Sequence, residues 1–500
     1  MPADELPGGW EYKKLGALGN WGSGGTPKRT VPAYYGGDIP WLKIGDLSDG
    51  PVSTAETHIT RAGLDNSSAK LIPPGALLIA MYGSIGKLGI TQIECATNQA
   101  IAHLLADENI VTMPFLYWRM LQARQELIKE GKGGAQQNIS QTVLKAFRIG
   151  LPPLPEQRRI VARLDAIEAH RRAAKEKLDR LPALLDRYRQ SVLAAAFRGD
   201  LTAAWRAAHP DTEPAAALLT RIRAERRRRW TEDKAQKATA RAEARAAKKG
   251  QPWTDADRAL RLDKERAKAA KTYTAPDPVD PTGLPDLPDG WVWVTVDDLS
   301  FIDVGFAFPS KKFAEEGVRL LRGANIAPGE LDWTDSKFWP EEGAEDYDHL
   351  ALREGDTVLA MDRPVISTGL KVARVTASDL PAFLVQRVSR FDVLLPMLQD
   401  LVFLSICSYR FISHLTSNQT GSDLPHVSAK DIGLYPIPLP PENELQALAP
   451  MVSRALAQID ALIEDVKRRG DVIDTLRQAT LARAFRGELV PTDADLAASA

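Results

Sequence analysis

Apolar residues recur at alternating spacings of four and three along two stretches of this 500-residue chain. The first seam runs through Ile160, Leu164, Ile167, Arg171, Ala174, Leu178, Leu181, Leu185, Tyr188, Val192 and Ala195, with only Arg171 polar. Adding 288 to those positions gives a second, through Leu448, Val452, Ile459, Leu462 and Val466. A sustained spacing of about 3.5 residues predicts coiled-coil helices. They should cover 155–198 and 441–486, pack antiparallel, and extend about 65 Å each at about 1.5 Å per residue. A proline-rich junction opens each helix, Leu151-Pro152-Pro153-Leu154-Pro155-Glu156 and Ile437-Pro438-Leu439-Pro440-Pro441-Glu442. Proline suits a first turn and not an interior. Pro182 and Gly470 are equivalent under the same offset, which predicts a bend at the same level in both helices.

Ahead of each helix the pattern shortens to β-type runs between turn residues. Ala76–Met81 reads as a buried strand, with turn signals at Gly24-Gly25-Thr26-Pro27 and Pro73-Pro74-Gly75. Helical stretches are expected at 115–130 and, in the second half, at 401–415. The whole unit is duplicated. Leu6-Pro7-Gly8-Gly9-Trp10 returns as Leu287-Pro288-Asp289-Gly290-Trp291, and Ala196-Phe197-Arg198-Gly199-Asp200-Leu201 as Ala484-Phe485-Arg486-Gly487-Glu488-Leu489. A period of this length marks duplication of a domain plus a helix, not a solenoid. The organisation expected is a first mixed α/β domain over 1–152, a spacer helix over 153–202, and an insertion over 203–284. A second α/β domain over 285–438, a second helix over 439–490 and a tail over 491–500 complete it.

The insertion has no counterpart in the other repeat. Between Arg221 and Lys249 it carries twelve Lys/Arg against four Asp/Glu, including Arg226-Arg227-Arg228-Arg229-Trp230. Its alanine content predicts helix, ended by Pro276-Asp277-Pro278 and Pro281. Two readings stay open: a solvated connector, or a basic arm lying along phosphates or an acidic partner.

Composition narrows the class. Lys and Arg total 64 against 65 Asp and Glu, so any nucleic-acid surface must be local. Two cysteines exclude a disulfide framework. The acidic N-terminus is unlike a secretory signal, and no run of about 18 apolar residues occurs; a cytoplasmic chain is expected. Gly83-Ser84-Ile85-Gly86-Lys87 is spaced like a phosphate loop. However, Met81 stands where the first glycine belongs, and Leu88 where a magnesium-binding hydroxyl belongs. No nucleotide-cofactor turn and no amino-methyltransferase tetrapeptide occurs, and the seven histidines lack metal-ligand spacing.

The order of motifs resembles the specificity subunit of Type I restriction-modification systems. Carrying the resemblance are Leu6–Trp10, Ile39-Pro40-Trp41-Leu42-Lys43-Ile44-Gly45-Asp46-Leu47 and Gly133-Gly134-Ala135-Gln136-Gln137-Asn138-Ile139-Ser140. The junction Leu151–Gln157 and both Ala-Phe-Arg-Gly helix ends complete it. In the second half Gly421-Ser422-Asp423-Leu424-Pro425-His426-Val427-Ser428 replaces the glutamine-rich loop. The resemblance implies an α/β chain of two target-recognition domains on two antiparallel helices, with pseudo-twofold duplication. It also implies a protein that reads a bipartite, asymmetric duplex and has no catalytic residue, metal or cofactor of its own. Two methyltransferase subunits would bring S-adenosylmethionine, and restriction-translocase subunits ATP and Mg. The helix seams would dock them.

Donors in loops are the candidate DNA contacts. In the first domain these are Lys43, Ser84, Lys87, Gln136, Gln137 and Asn138; in the second, Arg322, Asn325, Arg363, Lys371, Gln419 and His426. Charge sets a difficulty. Residues 1–150 hold 14 Lys/Arg against 13 Asp/Glu, but 285–438 hold 13 against 23, while duplex binding leans on phosphate neutralisation. Cations gathered on one face, or supplied by partners, would resolve it. Two other assignments stand beside this one: a subunit of a methylation-only or other phage-defence assembly, and a coiled-coil scaffold that binds protein instead of DNA.

Overall fold

A computed structural model describes residues 6–130, 138–416 and 426–499. The chain forms two compact units, 1–182 with 464–500, and 183–463. Each unit takes in one α/β domain and part of each long helix.

The first domain is built on a five-stranded sheet. Its order is Gly19–Ser23, Ile101–Ala106, Leu77–Ala80, Leu88–Thr91, Gly50–Val52. The predicted strand at 76–81 is thus its central strand, and all four of its residues are buried, as a continuous apolar run requires. A smaller sheet pairs Tyr35–Leu42 antiparallel with His58–Ile59 and parallel with Ala96–Thr97. The expected helix at 115–130 is present as two, Met113–Gln122 and Arg124–Glu130.

The second domain repeats this plan. Ser300–Val304, Val388–Val393, Thr357–Ala360 and Val372–Arg374 form its main sheet in that order. Val318–Leu321 pairs antiparallel with Phe338–Trp339 and parallel with Ala382–Leu384. Duplication is therefore a property of the fold: four of the five strands of the first main sheet recur in the same order, and Gly50–Val52 is the one without a counterpart strand among the described residues. The helical stretch expected at 401–415 is likewise split, into Gln399–Ile406 and Tyr409–Thr416.

The long helices span Leu154–Phe197 and Glu442–Ala484. Each helix runs without interruption through Pro182 or Gly470, and a third helix breaker, Pro450, also lies inside the second. Packing is antiparallel. In the first unit Arg171 pairs with Asp474 at 3.2 Å, and Leu164 shares a core with Leu481. In the second, Arg189 pairs with Asp460, and Leu193 and Ala196 pack with Leu448 and Val452. Low numbers on one helix meet high numbers on the other in both places.

The seam is not uniformly buried. Ile160, Leu164, Leu448, Val452 and Ile459 are buried, and Ile167, Leu178, Leu185 and Val466 half-buried. Leu462 departs from a closed seam, being exposed.

The insertion is ordered helix. Ala215–Lys248 and Asp255–Thr272 form an antiparallel hairpin, held by Arg266–Glu232 at 2.7 Å and Arg258–Glu243 at 2.6 Å. Its root belongs to the second domain. Ala215, Leu218 and Ile222 lie in that domain's core with Val294, Val296 and Leu299, and Arg223 pairs with Asp298 at 2.9 Å. A solvated connector would bury none of these; the connector reading is corrected by them.

Candidate nucleic-acid interface

One turn recurs at the same place in both domains. Strands Leu77–Ala80 and Leu88–Thr91 are joined through residues 81–87, and strands Thr357–Ala360 and Val372–Arg374 through 361–371. The ladder closes alike in each. Ala80 N–H donates to Lys87 O at 2.9 Å, and Ala360 N–H to Lys371 O at 3.0 Å. A second segment then crosses each turn. Ile139 N–H donates to Met81 O at 2.9 Å, with Tyr82 bridging Asn138; Val427 N–H donates to Met361 O at 2.8 Å, with Asp362 bridging His426. The 288-residue offset already pairs Asn138 with His426, whereas Lys87 and Lys371 are 284 apart. Backbone geometry makes each pair equivalent.

In the first domain this places Ser84 and Asn138 on an exposed rim, with exposed Tyr82 beside them. Lys87 Nζ donates to Ile44 O at 3.4 Å, which ties the rim to the turn that follows Lys43. Lys43 itself is engaged: its Nζ donates to Thr57 Oγ1 at 2.7 Å, and its N–H to Asp46 Oδ2 at 2.6 Å. Gln136 and Gln137 lie outside the described residues. Between the rim and the second helix is a cleft of about 410 Å³ lined by Asp49, Gly83, Ser84, Ile85, Lys87, Arg124 and Ile128. Arg124 and Asp49 were not singled out by sequence. Arg124 donates to Gly86 O at 2.9 Å and pairs with Asp49, 75 positions away. Asp49 has a left-handed backbone, φ 58°, and accepts Leu88 N–H at 2.8 Å. The helix break at Ala123 was the one local signal, and periodicity hides it.

The second domain fills the same frame with different chemistry. Gly83, φ 65°, corresponds to Arg363, φ 43°. Glycine adopts that conformation without steric cost, whereas an L-residue with a Cβ gives up roughly 1–2 kcal/mol. Strain retained at an exposed loop tip points to a functional side chain. His426 Nδ1 is 2.8 Å from Asp362 Oδ1, and Arg387 Nη1 is 3.1 Å from the same ring nitrogen. Arg387, also left-handed at φ 70°, was missed by sequence reading because its strand neighbours read as core. Lys371 is half-buried, and loss of solvent pushes its ammonium pKa below the ordinary lysine value.

Arg322 and Asn325 have a structural task here. Asn325 is 1% exposed; its Oδ1 accepts from Arg322, and its amide donates to Asp332 O at 2.9 Å and Asp335 O at 3.1 Å. Arg322 in turn pairs with Asp335 at 3.0 Å. Asn325 therefore presents nothing outward, because holding this turn uses its whole amide; it is corrected to a turn residue. Gln419 lies outside the described residues. Among the described residues no cluster of His, Cys, Asp or Glu could hold a metal ion, and no helix is long and apolar enough to cross a membrane.

Two copies of one α/β fold, each presenting a like-framed but differently furnished rim and each seated on an antiparallel helix pair, define a duplicated recognition protein. Residues 7–183 match the family described as Type I restriction modification DNA specificity domain. The chain is 28% identical over 95% of its length to the Type I restriction enzyme EcoAI specificity subunit of Escherichia coli, covering 81% of that protein. In fold it is similar to the HsdS subunit from Thermoanaerobacter tengcongensis, at TM-score 0.50 and 17% identity over 97% of this chain and 99% of that one. It is also similar to a chain from the structure "Structural basis underlying complex assembly and conformational transition of the type I R-M system", at TM-score 0.58 and 16% identity, covering 97% of this chain and 100% of that one. Over 95% of its length the chain is thus similar to a Type I restriction enzyme specificity subunit, and its first 183 residues contain the match to the DNA specificity domain.

Proposed function

We propose that this chain reads a bipartite, asymmetric DNA sequence, one half-site per α/β domain, for partner subunits that carry out the chemistry. The observation that carries this reading is the equivalence of the two rims. The backbone frame is the same, yet Gly83, Ser84 and Asn138 face Arg363 and His426 at corresponding places. A scaffold has no need to vary side chains at conserved geometry; a reader of two different half-sites does, because each base pair shows its own donors and acceptors in the major groove.

In this reading Ser84, Lys87 and Asn138 touch DNA from the first domain. Arg363, Lys371 and His426, with Arg387 beside His426, touch it from the second. Two methyltransferase subunits dock on the helices and supply S-adenosylmethionine, and restriction-translocase subunits add ATP and Mg; the chain itself is non-catalytic and works in the cytoplasm.

The test is a domain exchange. Residues 6–150 are replaced by the matching domain of a relative, and methylated motifs are mapped in cells carrying the chimaera with its modification subunit. One half of the motif should change and the other persist. A change in both halves, with the complex still assembled, refutes modular reading.

A further inference from the structure

The charge difficulty of the second domain has a structural answer in the insertion. Residues 285–438 carry 13 Lys/Arg against 23 Asp/Glu, a poor balance for gripping phosphates. The helical hairpin rooted in that domain's core carries the opposite sign. On its first helix Glu232 and Glu243 pair with Arg266 and Arg258 of the second, while Ala235 and Thr239 are buried. These four define the face turned to the neighbouring helix. At about 100° per residue, Lys234, Lys237, Arg241 and Lys248 fall within about 40° of the opposite direction and Arg245 within about 55°. All five are exposed. The acidic residues of this stretch are thus drawn inward or aside, and the outward stripe consists of cations.

Arg241, Arg245 and Lys248 have no acidic partner among the described residues. Lys237 has one weak exposed pair, with Asp233 at 2.9 Å, and Lys234 lies over the Trp230 ring at 5.4 Å. Asp233 offsets one of the five positive charges and leaves the stripe cationic. From Lys234 to Lys248 the stripe spans about 21 Å, roughly six base pairs of B-DNA. The hairpin is held rigid by its inter-helix ion pairs and by the Trp230–Tyr273 edge contact, with ring centroids 5.4 Å apart.

We infer that the stripe Lys234–Lys237–Arg241–Arg245–Lys248 is a sequence-independent DNA grip, which binds duplex phosphates beside the half-site read by the second domain. Regular helical spacing without base-reaching loops suits phosphates, which carry no sequence information. The inference rests on the DNA-reading function proposed above and adds to it a separate surface.

The experiment uses the full chain assembled with its modification subunit. All five residues are changed to glutamine (K234Q, K237Q, R241Q, R245Q, K248Q), with a second variant exchanging Lys for Arg and Arg for Lys. Affinity is measured from 0.05 to 0.3 M salt on a duplex bearing the methylated motif and on a random duplex. The glutamine variant should bind both duplexes roughly 10- to 100-fold more weakly at 0.1 M salt, and its log-affinity against log-salt slope should be shallower by about two to four. The methylated motif should not change, and the charge-conserving variant should behave like the parent. An unchanged salt slope overturns the inference. So does weakened assembly with the modification subunit at unchanged slope, which would assign the stripe to an acidic protein surface. If the parent complex itself shows no preference for the motif duplex, the proposed function fails instead, a result visible before any variant is made.

Discussion

The Trp10 indole N–H donates to the buried carboxylate of Glu156 at 2.7 Å, across 146 positions. The relationship is repeated in the second unit, where Trp291 donates to Glu444 at 2.9 Å. Each glutamate lies in the first turns of a long helix, and each tryptophan opens an α/β domain, so the bond fixes domain to helix. Its surroundings are repeated as well. Glu156 also accepts Asp493 N–H at 3.0 Å, and Glu444 also accepts from the Thr202 hydroxyl at 2.6 Å and Arg206 at 3.1 Å.

Removing the indole donor should therefore destabilise either unit. Trp10→Phe and Trp291→Phe each leave a buried carboxylate short of one charge-assisted bond, worth about 1.5–3 kcal/mol. Thermal unfolding should show a lowered midpoint for each, at unchanged secondary structure below the transition. A shift within error would mean that the bond only marks the junction.

Antiparallel helix packing predicts which cysteines join. In a chain with Cys95 and Cys407 replaced by serine, Arg171→Cys with Asp474→Cys should crosslink under mild oxidation, as should Leu193→Cys with Leu448→Cys. Parallel helices would form neither product, which non-reducing gels would show.

Integration of the insertion is tested at its root. Leu218 and Ile222 are 1% and 0% exposed in the second domain's core. Leu218→Ala should cost about 2–5 kcal/mol by leaving a cavity, read by chemical denaturation. A surface connector would tolerate the change.

Lys371 gives a test with a definite sign. Burial lowers its folded-state pKa, so the charged form costs stability at neutral pH. That cost is relieved as pH rises through the folded value toward the unfolded one. Lys371→Met should raise the melting midpoint at pH 7, and the gain over the parent should shrink as pH climbs toward 10. The same variant should weaken binding to the motif duplex. A side chain with a merely structural task would lose stability instead.

Half-site variants should separate the domains. Asn138→Ala should relax discrimination in one half of the motif, and His426→Ala in the other, each by about 1–3 kcal/mol where a bidentate contact is lost. Arg363→Gly should fold normally, since Gly83 holds the equivalent turn, and should weaken only the second half-site. Methylation rates on single-substituted duplexes would show which base pairs respond.

Much of this protein was legible before any coordinate, because its signals are periodic or repeated. The seam of apolar residues fixed both long helices to within a few residues, since burial along one face demands that spacing. The Leu-Pro-Gly/Asp-Gly-Trp and Ala-Phe-Arg-Gly motifs revealed the duplication, since the same junction between domain and helix must be built twice. Of the candidate loop residues, Ser84, Asn138 and His426 are exposed and Lys87 is half-buried, all at the two equivalent turns. What failed to show was whatever depends on distant partners. Arg124 meets Asp49 over 75 positions, and Arg387 reaches His426 over 39; no local pattern encodes such pairs. Asn325 looked like an available donor, and only the fold shows its amide wholly engaged. Leu462 kept the seam's period while remaining exposed, because periodicity states which residues share a face and not what covers it. The insertion is the fullest case: its composition announced charge and helix, but whether its acids turn inward and its cations outward was decided by the ion pairs of the hairpin, which exist only once the two helices pack.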